Sequence, residues 1–336
     1  LKNKLTNTIK NVFVNYGYEE IQTPEFEKSE NIGSFLAEDQ NNLMSDVFSF
    51  ENEKESLTLR YDLSAPLSRF VAENFRDLVF PYKRFSYGNV FRQEKADSAR
   101  FRSFSQLDAD IIGDANPAQV DAEICNIISE SFLKCGLKKN QFIVNVSNKK
   151  ILQGLIKELK IDEDKQYKVL KSIDKLDRLG IKEVEKLLKQ GREDQSGAFT
   201  NGCQLSNDQA SEILNFLKLK DINDLQANLK NPLSLEGIEE LKKILEIISF
   251  GKNQDCIKID VTKIRGLSYY TGFLVETNLT FKIVNPKGKE INIGSVASGG
   301  RYDNLIARFK GADYKGSGMS IGIDRLLYAV TQLGEI

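Results

Sequence analysis

Tyr82–Gly113 reads YKRFSYGNVFRQEKADSARFRSFSQLDADIIG. Tyr, Phe and Val interleave with Lys, Arg, Ser and Asn from Tyr82 to Arg92, and a second alternating run spans Phe101 to Ile112. This is the pattern of two strands around a basic, polar loop. Side chains alternate faces along a strand, so Arg102, Phe104, Gln106, Asp108 and Asp110 share one face, while Phe101, Leu107, Ala109 and Ile111 point the other way. A solvated face of an antiparallel sheet accounts for such a row. The density of Arg84, Arg92, Arg100 and Arg102 beside Gln and Asp points further. Guanidinium forks suit phosphate and carboxylate, and acceptors along the same face suit a cationic or N–H-bearing group. A face with both can hold a nucleotide at one end and an amine at the other.

Working outward from the hairpin, Leu1–Gly17 predicts a helix with Leu5, Ile9, Val12 and Phe13 on one stripe and Gly17 ending it. Tyr18–Phe26 is extended. Val47–Ser49 and Ser56–Arg60 predict two short strands. Tyr61–Pro66 opens a helix, with Ser64 as N-cap and Pro66 in the first turn. Pro117–Gly136 is a second helix and Gln141–Val146 a strand. From about Lys149 to Ser249 the character changes to Leu, Ile and Lys at helical spacing, with charges of both signs. Strand character returns at Ile257–Val261, Arg265–Glu276 and Leu279–Val284. The Gly-rich ASGGRYD at Ala297–Asp303 follows, then SGMSIGIDRLLYAV at Ser317–Val330, a strand running into a helix that carries Arg325. Strand-rich blocks thus flank a helical insert. The expected fold is α+β, an antiparallel sheet flanked by helices and split in sequence by the insert.

Polar residues stand where core strands should be apolar in four blocks: Asp62–Ser64, Arg92–Asp110, Arg265–Tyr270, and Gly299–Arg301 with Arg325. Each block has an ordinary explanation. Gly299–Gly300 fits a bulge as well as a close backbone approach to a ligand, Arg265 fits a surface charge, and Tyr269 and Tyr270 fit core and edge aromatics. There is no phosphate-binding G-x-x-x-x-G-K-[ST] loop and no G-x-G-x-x-G after a strand.

The chain has 336 residues, enough for two domains at roughly 150 each. A net charge of -1 rules out a global basic field, so any nucleic-acid contact rests on local patches. No apolar run approaches the roughly 20 residues of a membrane span. The four cysteines form no C-x-x-C pair and read as reduced thiols of a cytoplasmic protein. Histidine is absent, which excludes Ser-His-Asp and Cys-His catalysis and every mechanism that needs a His base. Catalysis would fall to Arg, carboxylate, backbone and Mg²⁺.

The order of the blocks resembles the catalytic part of a class II aminoacyl-tRNA synthetase of the histidyl-tRNA synthetase family, in its alphaproteobacterial form. Tyr82–Gly113 is similar to that family's motif 2 and GSGMSIGIDRLL to motif 3. LRYDLSAPLSRF, RGLSYYTG and ASGGRYD resemble segments that set the histidine enzyme apart. The resemblance implies 1–148 as the first part of the catalytic domain, 149–250 as a helical insertion domain and 251–336 as the second part. The anticodon-binding domain that follows in the family is expected to be absent, with weak tRNA charging as a result.

It also implies roles. Arg92 would contact the ATP α-phosphate and the substrate carboxylate, with Arg265 across from it. Glu94 would meet the adenine edge and Phe104 would stack on the base. Arg100 and Arg325 would clamp the β- and γ-phosphates. Asp62, Ser64 and Gln106 would hold the α-amino group of histidine. Asp110 and Tyr270 would bracket the imidazole, with Tyr269 near the same pocket. The partners implied are L-histidine, ATP with Mg²⁺, and tRNA(His), in a homodimer whose first motif lies near Leu1–Glu27, with no membrane involvement. The motif 2 loop EKADSAR departs from relatives that carry Pro and Gly there. The alternative is a histidyl-synthetase-like regulatory subunit of ATP phosphoribosyltransferase, which shares the core without aminoacylating. Arg92, Glu94, Arg100, Arg265 and Arg325 stand together, which that role does not need.

Overall fold

The computed structural model describes residues 1–29, 47–51, 54–93, 101–194, 197–264, 270–285, 287–303 and 314–334. In chain order the first block comprises helix α1 (Lys2–Asn15), strands β1 (Glu19–Glu20), β2 (Phe26–Lys28), β3 (Ser49–Glu51) and β4 (Ser56–Leu59), and helix α2 (Ser64–Asn74). It continues with β5 (Tyr82–Phe91), β6 (Ser103–Ile112), α3 (Pro117–Lys134) and β7 (Phe142–Asn148). A helical block follows: α4 (Lys149–Glu158), α5 (Glu163–Ile173), α6 (Leu176–Leu179), α7 (Ile181–Leu188), β8 (Gly191–Glu193), β9 (Phe199–Asn201), α8 (Asn207–Phe216), α9 (Ile222–Asn228) and α10 (Pro232–Ser249). The chain ends with β10 (Ile257–Ile259), β11 (Phe273–Leu279), β12 (Ile283–Val284), β13 (Glu290–Ile291), β14 (Ala297–Arg301), β15 (Gly316–Gly322) and α11 (Ile323–Leu333).

Eight strands form the central sheet in the order β1-β5-β6-β15-β14-β11-β7-β10. The inner pairings are antiparallel and the two edge pairings, β1 with β5 and β7 with β10, are parallel. The hairpin at 82–113 therefore supplies the second and third strands of the sheet, and the strand after ASGGRYD lies directly beside it. One face of the sheet is apolar: Phe85, Leu107, Ala109, Ile111 and Ile321 pack with α1 residues Leu5, Ile9 and Phe13 and with α3 residues Ile124 and Ile128. Side chains that alternate away from this core form the opposite, polar face. Burial at about 25 cal/mol per Å² makes the apolar face the stabilising one, so the polar face answers to something else.

Several boundaries differ from expectation for local reasons. The N-cap position of α2 is Leu63, not Ser64, and the capping acceptor comes from one residue earlier: Asp62 Oδ1 accepts from the backbone N–H of Ser64 (3.1 Å) and of Ala65 (2.9 Å), and Ser64 is the first helical residue. The run expected over 279–284 is two short pieces, because β11 extends to Leu279 and only Ile283–Val284 pairs again, with β13 across the turn at Gly288. The helical block contains a small hairpin, β8 with β9. Its three-residue strands are too short to show alternation. Helix α10 packs on α4, α3 and β7, so the block rests against the sheet layer.

Candidate active site

The polar face is a grid set by register. Asp108 on β6 lies between Ser86 on β5 and Ser320 on β15, and Ser320 is opposite Ser298 on β14, itself opposite Glu276 on β11. One step along, Asp110 lies between Arg84 and Gly318. Directly opposed residues in an antiparallel pair point to the same side, so these rows all face one way. A cleft of about 480 Å³ opens on this face. Asp62, Ser64, Gln106, Asp108, Tyr270 and Tyr302 line it, joined from the helical block by Lys149, Tyr167, Lys171 and Asp174. A smaller recess of about 140 Å³ continues from it, walled by Phe101, Phe104 and Arg325. Arg92, Gln106, Ser295, Ser298 and Ser320 belong to both.

Arg92 is held at the junction. Its guanidinium lies 4.3 Å from the Tyr61 ring centre and 5.2 Å from that of Phe104, and its Nε donates to the Tyr61 carbonyl at 3.4 Å. Arg325 donates from Nη1 to the Ser295 carbonyl at 3.0 Å, which aims it along the small recess. Asp324 beside it is tied to Lys2 Nζ (2.6 Å) and to the Ser105 backbone N–H (2.7 Å).

Asp110 sits deeper than its place on the expected face suggests. It is 1 % exposed and does not line the cleft. Arg84, fully buried, holds its Oδ2 at 2.7 Å and donates to the Leu63 carbonyl at 3.0 Å, while Tyr302 donates its hydroxyl to Oδ1. Tyr302, not Asp110, lines the cleft. Gly318 is required here, since a Cβ would collide with Asp110 Oδ1. Burial raises the Asp110 carboxyl above its ordinary range, with Arg84 and Tyr302 pulling it back. Asp108, 3 % exposed, is pushed up to about 7, first by burial and then by the charge of Asp110, against the pull of Ser320 and Arg84. Asp121 of α3 pairs with Arg301 Nη2 at 2.8 Å and accepts from Ser317 Oγ at 2.8 Å, tying β14 and β15 to the helix behind them.

Of the expected site residues, Asp62, Ser64, Arg92, Phe104, Gln106, Tyr270 and Arg325 come together around the two connected spaces. Glu94, Arg100, Arg265 and Tyr269 lie outside the described residues. Sequence reasoning set Asp108 on the right face without a role. It gave none to Tyr302, although ASGGRYD was singled out, nor to Tyr167 and Lys171, which carry no motif signal. Among the described residues no group of three or more His, Cys, Asp or Glu side chains converges as a metal cage.

Chemically, a fixed guanidinium stands between an aromatic-walled recess and an acid-rich pocket. That suits an anionic reaction centre with a flat ring on one side and an amine on the other. The family model for histidyl-tRNA synthetase matches residues 2–326. The chain is 59% identical over 338 residues to the histidine–tRNA ligase of Pelagibacter ubique, covering all of this chain and 73% of that one. It is 40% identical over 345 residues to that of Rhizobium leguminosarum bv. trifolii, covering 99% and 68%. Among solved structures, the histidyl-tRNA synthetase of Nostoc sp. PCC 7120 superposes with a TM-score of 0.78 at 27% identity, over 100% of this chain and 73% of that one. A Bacillus halodurans protein described as ATP phosphoribosyltransferase regulatory subunit/histidyl-tRNA synthetase reaches 0.77 at 23% identity, over 98% and 79%, which speaks for the fold alone. Sequence, fold and the two-part polar cleft agree, and the chain belongs to the histidyl-tRNA synthetase family.

Proposed function

We propose that the protein is a class II histidine–tRNA ligase that activates L-histidine with ATP to histidyl-adenylate and passes the histidyl group to the 3′ end of tRNA(His). The observation that carries this reading is the continuity of the two spaces at Arg92. In the first step the histidine carboxylate attacks the α-phosphorus in line and pyrophosphate leaves. In the second, a hydroxyl of the terminal ribose attacks the carbonyl carbon and AMP leaves. The first step needs alignment and neutralised oxyanions, not removal of a proton from the nucleophile. A chain without histidine meets that need through Arg92 at the junction, with Arg265 assigned to the other side of the same phosphate.

The remaining assignments follow the two spaces. Phe104 is placed under the adenine with Glu94 at its edge, and Arg325 and Arg100 on the outer phosphates. Asp62, Ser64 and Gln106 take the α-amino group, and Asp110, Tyr269 and Tyr270 the imidazole end. Mg²⁺ would arrive as its ATP complex, since that ion commonly keeps phosphate and water ligands, and no step is routed through a protein-bound metal. We further assign 149–250 as an inserted unit: the chain leaves the sheet at the end of β7 and re-enters at β10, the strand paired with it. No described helix is long and apolar enough to cross a membrane. Four buried free cysteines fit a reducing cytoplasm. We also propose a homodimer.

Histidine-dependent ATP–pyrophosphate exchange tests the reading. Exchange that depends on histidine and falls by about 10²–10³, or roughly 3–4 kcal/mol, in Arg265→Ala is expected. No exchange above background at saturating histidine would give the site to a regulatory, histidine-sensing role.

A further inference from the structure

We propose that Arg60 is a positioning residue for the activation step: without touching either space, it fixes the place of Arg92, the guanidinium at their junction. The inference rests on the histidine-activating reading of the cleft.

Arg60 is 2 % exposed, and its guanidinium spreads over two segments. Nε donates to the Asn89 carbonyl at 2.7 Å, and Nη1 donates to the carbonyls of Thr23 at 2.8 Å and Pro24 at 3.4 Å. The main chain of the same residue repeats both links. Its N–H donates to the Glu25 carbonyl at 2.9 Å, and its C=O accepts from the Phe91 N–H at 3.0 Å. Arg60 is therefore pinned to 23–25 on one side and to 89–91, the residues just before Arg92, on the other. Arg92 in turn rests on the residue after Arg60: its guanidinium lies 4.3 Å from the Tyr61 ring centre and its Nε donates to the Tyr61 carbonyl. One buried residue thus holds Arg92 twice, through the strand that leads to it and through the ring against it.

Packing alone does not call for a cation here. The ion pair of Arg60 is loose, Nη2 to Glu25 Oε1 at 3.5 Å, and the Glu25 side chain is 57 % exposed. An apolar side chain of similar volume would fill the position without the desolvation cost of a buried charge. Neither it nor a lysine can donate in fixed directions to carbonyls on two segments at once, as the planar guanidinium fork does. The sequence also leaves room for the fork. A Cβ at Gly88 of β5 would lie 2.2 Å from Arg60 Nη2 and 3.0 Å from its Cζ, and the three nearest atoms it would meet all belong to this guanidinium. Gly88→Ala therefore displaces the head of Arg60 and keeps its charge. A displaced anchor moves Arg92 off the in-line geometry, and a misplacement of about 1 Å arising far from the chemistry can cost about 100-fold in rate.

The test measures kcat and both KM values of pyrophosphate exchange in wild type, Gly88→Ala, Arg60→Met, Arg92→Lys and the double variant Gly88→Ala with Arg92→Lys. Histidine-dependent exchange in wild type must be present, and its absence would sink the functional reading instead. Gly88→Ala and Arg60→Met are each expected to lower kcat about tenfold or more while KM for histidine and for ATP stays within about threefold, because the charge of Arg92 remains and only its aim is lost. With Lys at position 92 there is no fork left to aim, so adding Gly88→Ala should cost less than about a further twofold. A merely structural role would multiply the two losses. A kcat unchanged in Gly88→Ala, a loss carried by KM, or losses that multiply in the double variant each overturn the inference. Should Arg60→Met fail to fold, Gly88→Ala decides alone, since it asks only a side-chain head to move.

Discussion

Asp108 and Asp110 are two carboxyl groups, two residues apart on one strand, given different surroundings. Arg84 and Tyr302 compensate Asp110, whereas Asp108 is left near 7 because burial and the charges of Asp110 and Asp62 outweigh the pull of Ser320 and Arg84. This has a consequence for stability. An unfolded Asp titrates near 3.9, so between about pH 4 and 7 the folded protein binds a proton that the unfolded chain has lost. Stability from this group is therefore full at low pH and declines as pH rises to about 7, by up to about 1.4 kcal/mol per unit, then levels off. Asp108→Asn has no such loss. Melting of the unliganded proteins at pH 5, 6, 7 and 8 should show the variant gaining on wild type with rising pH and no further above 8. A constant difference would mean that Asp108 is ionised throughout. The parity of SFSQLDADII was enough to align Gln106, Asp108 and Asp110. Which of them meets the cleft was not legible, because Tyr302 reaches Asp110 from 192 residues away.

Among the elements, the hairpin and motif-like blocks were legible because their alternation is long and their polar positions break it. The edge strand β10 was read within Ile257–Val261 and β1 lies in the extended Tyr18–Phe26, but their parallel pairings were not legible, since a two- or three-residue strand does not declare the neighbour it pairs with. The helical block showed its helices through 3.6-residue periodicity but not which faces the cleft. Helix α5 does so, and Lys263, 9 % exposed, helps hold the block there. Its Nζ contacts Asp177 at 2.5 Å, just beyond α5, and Glu276 of β11 at 3.7 Å. Breaking such a link leaves Glu276, itself buried, without its cation. Lys263→Met should increase hydrogen exchange across 163–179 and raise KM for histidine several-fold, because Tyr167, Lys171 and Asp174 line the large space and not the small one. An equal rise in KM for ATP would count against this division of labour.

At the scale of the whole molecule, the three-stranded sheet β2-β4-β3 is built the wrong way round for an isolated chain. Phe26 is opposite Leu59 and Phe50 opposite Leu57, so these four apolar side chains share one face. Phe26 is 52 % and Phe50 46 % exposed, whereas Glu27 and Thr58, on the other face, are buried, Glu27 against Arg69 at 2.7 Å. Sheets bury the apolar face unless a partner covers it. The patch adjoins Leu1–Glu27, the stretch whose resemblance to the family's first motif underlies the proposed homodimer. A symmetric partner bringing the same patch would cover Phe26 and Phe50 with their own copies, as an isologous contact requires. Light scattering at micromolar concentration should give twice the chain mass. Phe26→Asp with Phe50→Asp should give the monomer, since paired buried carboxylates at such a contact cost several kcal/mol. The double variant should keep its circular dichroism, because neither ring is in the core of the chain, and a wild-type monomer under the same conditions would leave the exposed face to some other partner.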